Sequence, residues 1–146
     1  MKTTLLKISL VFFSLMLASI NVNGQELSNG KVKKFVKKGR KAYRKEEFWK
    51  AKSYYEKVTE ANTDKAIYWF EAGLNQFDSK VKRENALPYF KKALELSVKD
   101  TIPELLYYTA KTMHFVGDFE DAIEFYNLFL DNLSSLPSRR ISEPWS

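Results

Sequence analysis

Few side chains in this chain could carry out catalysis or bind a metal. Its 146 residues include one histidine, His114, and no cysteine. A Cys/His nucleophile pair and a zinc site of the usual Cys/His type are therefore impossible. The carboxylate clusters, Glu46-Glu47 and those around Asp118, fall at expected helix N-termini, where the helix dipole favours acids. We predict a protein that is not an enzyme and uses no cofactor or metal, with catalysis by His114 as a remote alternative.

Residues 1–24 have the pattern of a signal peptide. Lys2 and Lys7 accompany an uncharged stretch at 8–20, which has the length of an apolar signal core and is short for a membrane span. Gly24 is the small residue after which we predict cleavage, and a retained membrane anchor is the alternative. Because no cysteine follows, we expect export to the periplasm or outer membrane without a lipid anchor.

Between residues 31 and 133 the apolar residues keep a helical spacing, with no sustained alternation typical of strands. The pattern predicts an all-α domain made of three helical pairs, at 31–64, 65–100 and 101–133. Residues 25–30 are predicted to be a linker. Residues 134–146 are rich in Ser, Pro and Arg, and we expect a disordered or truncated tail there.

Small and aromatic residues recur along this domain at a nearly constant spacing. Gly39 and Gly73 are 34 residues apart. Alanines and aromatics recur at spacings of 35 and 36 residues, in the sets Ala51, Ala86, Ala122 and Tyr55, Phe90, Tyr126. This pattern resembles the tetratricopeptide (TPR) family, whose unit is a helix–turn–helix of 34 residues. The resemblance covers about 31–133 and implies an α-solenoid of three repeats, with a helical bundle of chance spacing as the alternative.

The signal peptide and the repeat motifs together, above all 117–126, also resemble the N-terminal TPR domain of exported OmpA-family/β-propeller envelope proteins. Those proteins occur in bacteria with type IX secretion and gliding machinery. Lys38 and Thr109 depart from the family pattern, which usually has leucine at these positions. The resemblance implies a non-catalytic protein–protein interaction scaffold of the cell envelope. A stand-alone periplasmic peptide-binding or chaperone-like adaptor is the alternative.

In TPR arrays the first helix of each unit lines a concave groove that binds peptides, and the resemblance implies the same here. The positions carried over are Lys33, Val36, Arg40, Tyr43 and Arg44 in the first unit; Ile67, Phe70, Leu74, Phe77 and Asp78 in the second; and Glu104, Tyr107, Lys111, His114 and Phe115 in the third. This set is basic at one end and aromatic in the middle, which suits a protein or extended peptide with an acidic end and apolar anchors. Some of the apolar positions could instead pack in the core.

Two further surfaces predict partners. Nine basic residues and no acidic one lie between Lys31 and Lys45. This run is interpreted as a solvated face or as a docking site for an anionic envelope surface or acidic protein. Nucleic acid is not expected as a partner, because the chain is predicted to be exported and has no nucleic-acid-recognition motif. On the sixth helix Phe129, Leu130 and Leu133 are expected to be exposed, whereas solenoids usually end in a polar capping helix. This predicts self-association through the C-terminal helix, or a downstream segment that covers it.

Overall fold

The computed structural model describes residues 27–97 and 102–135, and in these ranges the chain forms helices and no strand. The α-helices are α1 (Asn29–Tyr43), α2 (Phe48–Glu60), α3 (Ala66–Asp78), α4 (Leu87–Leu96), α5 (Pro103–Val116) and α6 (Phe119–Ser135), with a 3₁₀ helix at Arg83–Ala86 before α4. The predicted all-α fold is confirmed. The predicted signal peptide and nearly all of the predicted tail lie outside the described residues.

Two helix ends differ from the predicted boundaries. Helix α1 begins at Asn29, inside the predicted linker, because the Ser28 carbonyl accepts hydrogen bonds from the N–H groups of Lys31 and Val32, at 2.8 and 3.1 Å. Val32 is buried, so packing as well as hydrogen bonding extends the helix toward the N-terminus. Helix α6 continues to Ser135, two residues beyond the predicted end of the repeat domain.

The helices stack in chain order. Each α-helix packs against the next one along the chain, and α3 also contacts α5. The core is correspondingly divided into clusters that follow one another along the array, rather than gathered at one centre. This packing of successive helical pairs is consistent with an α-solenoid.

Glycines in α1 and α3 allow close approach to the second helix of the same pair. A Cβ built on Gly39 would lie 3.0 Å from Cζ of Tyr55, and one built on Gly73 would lie 2.5 Å from Cε1 of Phe90. Tyr55 and Phe90 are both buried. Gly39 and Gly73 are therefore the points at which an aromatic ring rests directly on a helix backbone.

Helix α5 explains one departure from the repeat pattern. Thr109, where leucine is usual in the TPR family, is fully buried, and its Oγ1 donates to the Leu105 carbonyl at 2.7 Å. Thr112 is also buried and donates to the Tyr108 carbonyl at 2.8 Å. Because each hydroxyl bonds to the carbonyl one turn earlier, both threonines can pack in an apolar interface without an unsatisfied polar atom.

The connection between α3 and α4 spans residues 79–86 and includes the 3₁₀ helix. Lys80 and Lys82 adopt positive φ angles of 60° and 48° there. The side-chain amide of Gln76, which is buried, donates to the carbonyls of Val81 and Lys82 at 2.7 and 3.1 Å. These bonds satisfy the amide and fix the loop against the end of α3.

The C-terminal part of helix α6 is less exposed than predicted. Leu130 is 59% exposed, whereas Phe129 and Leu133 are partly buried. The Phe129 ring turns toward α5, where its centroid lies 5.5 Å from that of Tyr107. The expectation that all three residues are exposed is therefore wrong for Phe129 and Leu133.

Candidate binding groove

An open groove runs between α1 and α3. It has a volume of about 340 Å³ and is lined by Lys33, Val36, Lys37, Arg40, Arg44 and Tyr68. We call it the basic groove. Four of its residues belong to the set predicted from the sequence. Lys37 was missed, although it follows Lys33 by one helical turn and therefore lies on the same side of α1; Tyr68 was missed because the family positions did not include it.

Arg40 is fixed in this groove by Glu71 of α3. Its Nε lies 2.9 and 3.0 Å from the two carboxylate oxygens of Glu71, and its Nη2 lies 2.6 Å from Oε1. Glu71 is mostly buried, at 15% side-chain exposure, whereas Arg40 is 47% exposed. Burial raises the pKa of Glu71, and the bonds from Arg40 oppose that rise. Arg40 is therefore partly neutralised by a structural partner that the sequence alone did not reveal.

A second concavity adjoins the first. It has a volume of about 500 Å³, includes residues of α1, α3 and α5, and is lined by Tyr43, Arg44, Glu46, Phe48, Asp78, Lys80 and Tyr108. We call it the aromatic concavity. Arg44 lines both hollows, so the basic groove continues into a surface that includes Tyr43, Phe48 and Tyr108. The two hollows together form a path that is basic at one end and aromatic at the other.

The aromatic concavity is braced by a hydrogen bond from the Tyr43 hydroxyl to Oδ2 of Asp78. Burial, followed by this bond, raises the pKa of Tyr43 far above its ordinary value, so Tyr43 stays a neutral donor. The ring of Tyr43 also meets that of Phe48 edge to face, with centroids 5.8 Å apart. Two residues predicted for the groove, Tyr43 and Asp78, are thus brought together, and they join α1 to α3.

Several apolar positions predicted for partner contact lie in the core instead. Phe70, Leu74 and Phe77 of α3 are almost completely buried, because α2, α4 and α5 all pack around this helix. Val36 is also buried and forms only the floor of the basic groove. Ile67, at the start of α3, is partly exposed and lines neither hollow.

The five positions predicted in the third unit form a separate surface. Lys111 Nζ lies 5.5 Å from the ring centroids of both Phe77 and Tyr107, and His114 meets the Phe119 ring edge-on. Phe115 is exposed and lies beneath the guanidinium of Arg83 at 5.5 Å, whereas Glu104 is half-buried. None of the five lines the basic groove or the aromatic concavity. Family position alone had grouped residues that the fold separates.

The described residues contain no group of three or more His, Asp or Glu side chains that could hold a metal ion. The cations of the basic groove can instead form charge-assisted hydrogen bonds with carboxylates. Searches against protein-family models and against curated proteins find no match to this chain. Among residues 27–97 and 102–135, no helix combines the length and the apolar character needed to cross a bilayer.

Proposed function

We propose that this chain is a non-catalytic protein–protein interaction module whose basic groove binds an acidic segment of a partner. The observation that carries the proposal is the set of cations at the groove. Lys33, Lys37 and Arg44 are exposed around one hollow, and none of them has an ion pair within the described part of the chain. Such a concentration of positive charge in a concavity attracts carboxylates and steers their approach.

The neighbouring aromatic concavity favours an extended peptide over a small anion. Tyr43, Phe48 and Tyr108 supply ring surface beside Arg44, so a chain with a carboxylate at one end could place apolar side chains against these rings. A free anion would use only the basic end. An acidic segment that carries aromatic or aliphatic anchors would use both hollows at once.

We further propose that the chain acts in the bacterial cell envelope, as a TPR-type scaffold linked to type IX secretion or to an OmpA-type complex. The pattern of residues 1–24 and the repeat resemblance support this proposal. A stand-alone periplasmic peptide-binding or chaperone-like adaptor is the second candidate, because a three-unit array can bind peptides without further domains. Docking of the basic run to an anionic envelope surface would use the same cations.

A charge-reversal pair tests the groove. The variant Lys33→Glu/Arg44→Glu changes two groove cations, and the control Lys34→Glu/Lys41→Glu changes two exposed lysines that do not line the groove. The two variants alter the net charge equally. Arg40 is left in place because its loss would leave the mostly buried Glu71 carboxylate without its cation.

The probe is a fluorescent peptide with two aromatic residues followed by three glutamates, and its glutamine counterpart is the control. We expect the groove variant to weaken binding about tenfold or more in fluorescence anisotropy, which corresponds to about 1.4 kcal/mol, and the control variant to bind nearly as the wild type does. Equal binding of the glutamine peptide, or equal loss in both variants, would contradict recognition by the groove. Anionic and neutral vesicles, assayed in parallel, separate membrane docking from peptide binding.

A further inference from the structure

Helix α6 leaves an apolar stripe open along its outer side. Phe119, Ile123 and Leu130 lie within a narrow sector of the helix and are 57%, 61% and 59% exposed. Leu130 follows Leu94 by 36 residues, and Leu94 packs in the cluster that contains Leu105 of α5. The apolar stripe of α6 therefore corresponds to the face of α4 that contacts α5, the next helix of the array. No helix of the described ranges covers it.

Within the described ranges, helix α1 leaves the opposite side of the array open. In α3 the face that packs on the preceding pair includes Tyr68 and Ala72, while Asn75 donates to the Phe48 carbonyl of α2 at 3.2 Å. The spacing of 34 residues between Gly39 and Gly73 makes three lysines of α1 equivalent to these positions: Lys34, Lys38 and Lys41. All three are exposed. We call this face the lysine edge.

The two open faces have opposite charge. Helix α1 carries seven basic residues and no acidic one, and helix α6 carries four acidic residues and no basic one. Glu120 and Glu124 are exposed, lie one turn apart, and flank one side of the apolar stripe. A row of lysines at one end of the array therefore matches a row of carboxylates beside an apolar stripe at the other.

We propose that the lysine edge of one copy docks on helix α6 of a second copy. The aliphatic stems of the lysines then lie along Phe119, Ile123 and Leu130, and their ammonium groups reach Glu120 and Glu124. Since the two faces differ, the contact is head-to-tail, and a third copy can add in the same way. The inference goes beyond the proposed function, because none of the three lysines of the edge lines the basic groove.

The test uses two charge-reversed variants of the full chain. Lys34→Glu/Lys41→Glu reverses the lysine edge, and Glu120→Lys/Glu124→Lys reverses the row beside the apolar stripe; all four positions are exposed, so the fold should tolerate both changes. Lys38 is left in place because its Nζ lies over the Tyr54 ring, 5.5 Å from the centroid. Lys33→Glu/Arg44→Glu is the matched control on the groove side. Sedimentation velocity is measured over increasing protein concentration, at low and high ionic strength.

We expect the wild type and the groove control to associate, and each edge variant alone to sediment as a monomer, with a dissociation constant raised about tenfold or more. An equimolar mixture of the two edge variants should associate again, because each acidic face then meets a basic one. That recovery also shows that both variants are folded. A wild type that is monomeric at every concentration would overturn the proposal, as would association that survives both reversals.

Discussion

Replacement of Gly73 by alanine tests the closest helix–helix contact of the array. Alanine in place of glycine inside a helix ordinarily stabilises a protein by about 0.5–1 kcal/mol. At this position the new Cβ would lie 2.5 and 2.6 Å from two carbons of the Phe90 ring, which is fully buried. Overpacking of this kind costs about 1–3 kcal/mol.

The two effects have opposite signs, and overpacking is the larger. We therefore expect Gly73→Ala to lower the free energy of unfolding by about 1–2 kcal/mol in urea titrations followed by circular dichroism. Gly30→Ala is the control, because nothing lies within 4 Å of a Cβ built at this exposed position of α1. It should be neutral or slightly stabilising.

A smaller side chain at position 90 separates the clash from any other effect of the alanine. In a Phe90→Leu background the added Cβ at position 73 has room, so Gly73→Ala should become neutral or stabilising, although Phe90→Leu alone is destabilising. If Gly73→Ala were as benign as Gly30→Ala in the wild-type background, α3 and α4 would not approach as closely as the structure shows.

Four further substitutions probe the groove and an exposed tryptophan. Arg40→Met should lower the free energy of unfolding by about 1–2 kcal/mol, because the mostly buried Glu71 loses its partner. This figure already allows for solvent screening of the half-exposed Arg40 cation. Burial raises the pKa of Glu71 in the folded chain, so protonated Glu71 stabilises the fold in acid, and this stabilisation is lost as pH rises through that pKa. Urea titrations across this pH range should therefore show that the free energy of unfolding depends less on pH in Glu71→Gln than in the wild type. Tyr43→Phe should lower the free energy of unfolding by about 0.5–1.5 kcal/mol in the same assay, because it removes the hydrogen bond to Asp78. The effect of Tyr43→Phe should be smaller in an Asp78→Asn background. Trp49 is 77% exposed, so Trp49→Ala should change the free energy of unfolding by no more than about 0.5 kcal/mol.

The helical character and pairing of the chain could be predicted because both follow from local patterns. Apolar residues at helical spacing mark buried faces, and the recurrence of Gly39 and Gly73 marks the points where helices approach each other. The ends of helices were less predictable. The start at Asn29 depends on the Ser28 carbonyl and on burial of Val32, and neither is visible in a periodicity.

The candidate site was predicted less well than the fold, for a physical reason. The sequence shows that an apolar residue lies on one helix, but not how many other helices surround that helix. Because three helices pack around α3, Phe70, Leu74 and Phe77 are buried, whereas Tyr43 at the end of α1 remains half-exposed. The partnership of Arg40 with Glu71 spans 31 residues and arises only when α1 and α3 are side by side.

In the sequence the basic run appears as a single feature, but the helix divides it into surfaces with different neighbours. Lys33 and Arg44 line the basic groove, beside Tyr68 and the aromatic concavity. Lys34 and Lys41 lie on the lysine edge, which the repeat makes equivalent to the face of α3 that packs on the preceding pair. Since these residues share one helix and one charge, net-charge arguments cannot assign their roles. Paired charge reversals on the two sides can assign them, because the two proposals require a peptide ligand to respond to one side and a second copy of the chain to the other.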